Sequence, residues 1–179
     1  MVDLDDLTLW TAVATWGLAI GTISLLYWQT RQSQRLNSAN AVIVLRERFD
    51  ASRMRRARRR LAQEWLDDSV NDISSTEVLT FFELIGAQMR GGILSEEMVW
   101  DAFGGWVTTY YWAMRHPRDR IGQLRESTQD PLVFFRFEWL NARVIRMDQR
   151  QLGPDHLTES TTERYSRDLL AREAKLEDD

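Results

Sequence analysis

Cysteine is absent from the chain. No disulfide can staple the fold, no thiol can serve as a nucleophile, and no thiolate can ligate zinc. Histidine occurs only at His116 and His156, and neither belongs to an H-x-x-x-H or a His–carboxylate cluster of metal-ligating spacing. The phosphate-cradling G-x-x-x-x-G-K-S/T, the dinucleotide fingerprint G-x-G-x-x-G and the nucleophile elbow G-x-S-x-G are all missing. No catalytic residue, cofactor or metal is therefore expected. No stretch alternates apolar and polar residues between turn signals, which excludes a strand-based fold. Lysine is nearly absent as well. Lys175 is the single one, and the other 22 of the 23 basic residues are arginine, a bias that GC-rich codons explain and that points to a bacterial source.

Charge is also missing where it matters most. Leu7 to Trp28 reads LTLWTAVATWGLAIGTISLLYW, with no Asp, Glu, Lys, Arg or His. As a helix this run spans roughly 33 Å, about the hydrocarbon thickness of a bilayer. A cleaved signal peptide has a basic start and a shorter apolar run. This segment instead starts from Asp3, Asp5 and Asp6 and leads into Tyr27-Trp28-Gln29-Thr30. The expectation is a retained transmembrane helix, with Trp10 at one headgroup zone and Tyr27 and Trp28 at the other. No basic residue precedes it, whereas Arg31, Arg35, Arg46 and Arg48 follow. The positive-inside rule then places the amino terminus outside and the rest in the cytoplasm, as a single-pass protein of the bacterial inner membrane. Gly17 and Gly21 form a G-x-x-x-G with Ala14 three residues upstream, a candidate helix-association face that also has an ordinary packing explanation.

The net charge of −4 conceals a split. Residues 1–60 carry ten arginines against five acids, and residues 61–179 carry thirteen basic against twenty-two acidic residues. Composition and pattern divide the chain into a short acidic segment (1–6), the membrane helix (7–28), a juxtamembrane helical stalk (29–51), a cytoplasmic helical domain (52–153) and an acidic tail (154–179). No repeat, low-complexity linker or second anchor interrupts this order.

Within the cytoplasmic part the period is helical throughout. Leu36-Asn37-Ser38-Ala39-Asn40 is the weakest point of the stalk, because Asn and Ser favour caps and turns. Ser52 is the expected cap of a helix that shows Met54, Ala57, Leu61 and Trp65 on one face. Ser74-Ser75-Thr76-Glu77 has capping-box spacing before Val78, Leu79, Phe81, Phe82, Leu84, Ile85 and Met89, and Gly91-Gly92 closes that helix. Ser95 opens the next, which runs to the residues before Pro117 and carries Gly104-Gly105 in its middle, where a close helix contact or a kink is expected. A short turn holds Ile121 and Leu124. Asp130-Pro131 reads as a cap and first turn for a helix ending near Gly153. Thr161–Leu176 has helical spacing but little to bury. The fold class is all-α: one amino-terminal membrane helix and a bundle of four to five helices.

The order of SRMRRARRRLAQEWL, FFELIGAQMRGGILSEEMVWDAFGGWVTTYYW and FFRFEWLNARV after one apolar helix resembles a family of small bacterial membrane-anchored helical proteins known as a domain of unknown function. The resemblance covers most of residues 7–150 and implies a fold, with no catalytic residue to carry over.

Three sets of residues are candidates for function. Arg53, Arg55, Arg56, Arg58, Arg59 and Arg60 form a potential patch for an anionic partner, or simply a solvated helix face paired with carboxylates such as Glu64, Asp67 and Asp68. Lipid is one such partner, but the patch lies roughly 37–48 Å beyond Trp28 along a continuous helix, many times the Debye length of about 8 Å, unless the chain folds back at Asn37–Asn40. Nucleic acid is disfavoured, since aromatics do not interleave with the arginines and the following domain is acidic. Glu83, Asp101 and Glu138 fall within apolar helices, with Arg90, Arg125 and Arg136 available to pair with them. Structural ion pairing is the default, and acid–base work requires burial and mutual geometry. The eight tryptophans suit core or interface packing. The leading expectation is a non-enzymatic interaction or scaffold module at the inner membrane face, binding the bilayer, a protein partner or a second copy of itself. The alternative is an enzyme or small-molecule sensor with a pocket among the aromatic helices.

Overall fold

The Phe49 ring lies between 5.2 and 5.9 Å from the rings of Phe81, Phe82, Phe103 and Trp106. These residues come from three stretches of the sequence, so the aromatic positions singled out by helical spacing converge on one core. The structure, a computed structural model, describes residues 4–67, 72–153 and 159–175. The side chains of 4–21, 34, 72–75 and 159 lie outside that description. Among the described residues there are seven helices and no strand: α1 (Leu4–Asp50), α2 (Ser52–Leu66), α3 (Asp72–Arg90), α4 (Glu96–Arg115), α5 (Arg120–Thr128), α6 (Phe135–Leu152) and α7 (Glu159–Glu173). The all-α class holds. The bundle exceeds the expected four to five helices because the short α5 and the carboxyl-terminal α7 are both formed.

The chain divides at Asn37/Ser38 into two units. The first is the leading part of α1. In it Ile23, Leu25, Leu26, Tyr27 and Trp28 are each more than half exposed. Among the described residues, no helix is long and apolar enough to cross a membrane. Most of the apolar run, including Ala14, Gly17 and Gly21, lies outside the described side chains.

The second unit holds the core. α6 packs on α3 and α4, and α7 packs on α2 and α4. Phe82 stacks on Phe137 at 5.4 Å and contacts Tyr110 at 5.7 Å, which joins α3, α4 and α6 through aromatic faces. Gly86 makes the α3–α6 approach possible. A Cβ at that position would lie 2.4 Å from the Arg136 carbonyl oxygen, so any side chain would drive the two backbones apart.

Several local expectations hold. Ser95 caps α4, its Oγ accepting from the Met98 amide at 3.2 Å. α3 ends at Arg90, before Gly92 in the left-handed region at φ 74°. Gly104 and Gly105 do face close contacts, with Trp100 and Val144 for the first and the Tyr165 hydroxyl for the second.

Others are corrected. α1 runs unbroken through Leu36–Asn40. Ser38 there is buried, and its Oγ accepts the Ser95 amide at 2.8 Å, so its hydrogen-bonding capacity serves a tertiary contact instead of a turn. The cap of α2 is Ala51 in an extended conformation with no side-chain bond, and Ser52 is already helical. α3 begins at Asp72, which puts Ser74–Glu77 inside its first turns. Asp130-Pro131 forms a turn in which Asp130 Oδ1 accepts the Leu132 amide at 2.8 Å, and α6 starts only at Phe135. The tail had been expected to have little to bury. Yet α7 buries Ser166, Leu170 and Glu173, because these recur at i, i+4 and i+7 on one face.

Candidate functional site

Arg58 does not belong to a solvated arginine face. It sits at i+4 from Met54 and i−3 from Leu61, on the apolar stripe of α2, and only 3 % of it is exposed. Its guanidinium carbon lies 3.9 Å from the Phe49 ring centre and 5.0 Å from that of Trp106. Glu173 of α7 supplies the counter-charge, with Oε2 at 3.4 Å from Arg58 Nε. The same carboxylate faces the Tyr110 hydroxyl at 3.5 Å. Burial raises the Glu173 pKa, an effect that the Arg58 charge and the Tyr110 hydroxyl oppose and Asp50 reinforces. The Tyr110 hydroxyl is held well above the ordinary tyrosine range, first by burial and then by the Glu173 charge. Arg58 Nε makes no hydrogen bond among the described residues, so the pair rests on charge and on the aromatic faces.

The remaining arginines of α2 have separate fates. Arg53 pairs with Glu77 at 2.7 Å beside a cleft of about 700 Å³ that Arg48, Met54 and Phe81 also line. Arg55 and Arg59 are half-buried and engaged. Arg56 and Arg60 are exposed. Of the six arginines expected on one solvated face, Arg58 belongs to the core instead.

The three apolar-helix carboxylates do not come together. Glu83 Oε2 accepts the Phe137 amide at 2.7 Å, and its Oε1 lies 3.5 Å from Arg136. It caps α6 from α3, which explains how α6 starts after Phe134, a non-glycine residue in the left-handed region at φ 55°. Glu138 binds Arg125 at 2.9 Å and accepts the Tyr111 hydroxyl at 3.2 Å. Tyr111 is shifted upward, mainly by burial and then by the Glu138 charge. Both carboxylates are occupied with holding helices. Arg90, the third potential partner, lies 5.6 Å over the Phe135 ring. His116 stacks on Trp112 at 5.4 Å, and its carbonyl accepts the Trp65 indole at 3.0 Å.

Asp101 is different. It stands at the edge of a cleft of about 600 Å³ among α4, α6 and α7. Trp100 and Tyr165 supply aromatic walls, and the Trp100 indole donates to Asp148 Oδ1 at 2.9 Å. Asp168 and Arg164 complete its charged lining, and buried Thr108 lies among the lining residues. Gly105 lets the Tyr165 hydroxyl come close to α4, since a Cβ there would stand 2.7 Å from it. The sequence pointed to Asp101 and to the glycine pair. The α6 and α7 contributions are visible only once those helices are packed. Among the described residues, no three His, Cys, Asp or Glu are placed to hold a metal ion.

A family model described as "Domain of unknown function (DUF4760)" matches residues 7–144. The chain belongs to this family. The DUF4760 match runs from the apolar segment through most of α6 and contains Arg58, Tyr110 and the α3–α6 contact at Gly86. It ends before α7, so Glu173, Tyr165 and Asp168 lie outside it. No curated protein and no solved structure matches the chain.

Proposed function

We propose that this DUF4760 chain is a single-pass, membrane-tethered helical module that works by binding a partner at the inner face of the bacterial cell membrane. The observation that carries the tether is the set Ile23, Leu25, Leu26, Tyr27 and Trp28, all more than half exposed. At 100° per residue they point to every side of α1. A helix that packs against protein on one face concentrates its apolar residues there, whereas one apolar all round suits a lipid surround. The uncharged run that contains them, Leu7 to Trp28, is about bilayer thickness as a helix. Arginines beyond Trp28 and none before Leu7 favour an outside amino terminus.

The non-enzymatic reading is supported by Glu83 and Glu138, which cap and pair helices instead of lining one cavity. Exposed Arg56 and Arg60 give the body a basic edge for an acidic partner protein. Self-association through Ala14, Gly17 and Gly21 belongs to the same proposal.

The test is extraction and topology of the full-length chain in bacterial membranes. Retention in the pellet after alkaline carbonate, with the carboxyl end shielded from protease added to intact spheroplasts, is the expected result. Release by carbonate, or digestion of the carboxyl end from outside, overturns the tether. Crosslinking in membranes followed by mass spectrometry should return a partner or a dimer, and recovery of neither overturns the binding role.

A further inference from the structure

We propose that α7 is a releasable strap: it fills a helix-binding groove between α2 and α4, and an amphipathic helix of a partner protein takes its place. The contacts of α7 define the groove. Glu173 meets buried Arg58 at 3.4 Å, and the Gln63 side-chain amide donates to the Ala174 carbonyl just past the helix end at 3.1 Å. The Arg167 guanidinium lies 5.4 Å over the Trp65 ring and 5.9 Å over that of Trp112. Arg58, Gln63 and Trp65 belong to α2, and Trp112 to α4. Leu170 is buried. The spacing Arg167-x-x-Leu170-x-x-Glu173 keeps a cation, an apolar anchor and an acid on one side of a helix.

The hold on α7 is weak in the terms that matter for release. α3 buries Val78, Leu79, Phe81, Phe82, Ile85 and Met89, whereas Leu170 is the one apolar side chain that α7 buries among the described residues. Elements with few buried apolar contacts open at the lowest free energy. The fit is also imperfect. Ser166 Oγ on α7 and Arg58 Nε beneath it are buried without a hydrogen-bond partner among the described residues, which is costly. The groove walls, α2 and α4, fall within the family match of 7–144, and their occupant lies beyond it. Charge defines the replacement. Arg58 is a buried cation, so a neutral or basic helix would leave it uncompensated. The partner helix therefore carries an acid three residues after its apolar anchor, and a cation three residues before that anchor gains the tryptophan faces.

The strap serves the partner-binding role proposed above. Crosslinking in membranes tests that role whatever holds α7, and the following titration tests the groove alone, so the two fail separately. A labelled peptide of residues 159–175 is the probe, titrated by fluorescence anisotropy into the purified full-length chain in detergent micelles. Saturable binding is expected, about ten-fold tighter to a Leu170→Ala chain, whose own strap competes less. A Glu173→Arg peptide should bind about ten-fold more weakly than the native peptide, because it sets a cation against Arg58. An Asp168→Asn peptide, altered at an exposed position, should bind as the native one does. Hydrogen exchange of the native chain should open α7 ahead of α3 and α6. No binding to the Leu170→Ala chain, equal binding by the Glu173→Arg peptide, or loss of α3 and α6 protection in Leu170→Ala overturns the strap. Crosslinks from α7 of one copy to α2 of another, in a mixture with isotope-labelled chain, would assign the groove to a second copy and overturn the partner assignment.

Discussion

The guanidinium carbon of Arg58 lies 3.9 Å from the centre of the Phe49 ring, with Glu173 at 3.4 Å from its Nε. The charge is thus enclosed by one carboxylate and two aromatic faces. Removing one partner of a buried pair leaves the other uncompensated. Arg58→Ala is expected to cost on the order of 3–5 kcal/mol in folding stability. Arg56→Ala, on the exposed side of the same helix, should stay within about 0.5 kcal/mol. Urea denaturation of both variants checks this, and equal effects would place Arg58 on the surface.

Glu173 gives the fold a pH dependence of definite sign. Its folded-state pKa is raised above the ordinary 4.5, so the folded chain holds this proton more tightly than the unfolded chain. The stability it contributes is complete below the ordinary value and is lost as pH rises through the raised one. Arg58, Tyr110 and Asp50 are the groups that act on it. Glu173→Gln keeps the shape of the side chain and an oxygen for the Tyr110 hydroxyl but cannot ionise. The native chain should therefore lose stability relative to Glu173→Gln as pH climbs from about 4 towards neutrality. Denaturation midpoints of both chains across that window read the difference directly, and a difference independent of pH refutes the burial of this carboxyl.

Gly86 sits where the α3 backbone closely approaches the α6 backbone at Arg136. The Arg136 carbonyl is main chain, not the movable end of a side chain, so the helices must separate to admit a methyl group. Gly86→Ala is expected to destabilise by about 1–3 kcal/mol despite the better helix propensity of alanine. A thermal melt that matches or exceeds the native one would show that the helices slide apart freely.

How much of this was legible beforehand depends on the range of the signal. Helical spacing located the core faces of α2, α3, α4 and α6, because burial along one face repeats within a few residues. Ser95 and Gly92 marked helix ends through local capping chemistry. Arg58 was missed because residue type outweighed position: it occupies the Met54–Leu61 stripe, and that register was the available clue. Glu173 was missed because the short stripe Ser166, Leu170, Glu173 contains only one apolar residue. Ser38 and the start of α6 depend on partners 57 and 54 residues away. No local pattern encodes a hydrogen bond over such a separation. The cleft beside Asp101 was half visible, since its α4 wall is local and its α6 and α7 walls are not.

The carboxylate of Glu83 on the Phe137 amide has a consequence for the order of assembly. Residues 130–134 satisfy the Phe135 amide, the first of α6, through the Leu132 carbonyl at 3.1 Å, but the Phe137 amide is left to Glu83. Completing the first turn of α6 is thus delegated to a side chain on another helix. That couples the birth of one segment to the arrival of its neighbour.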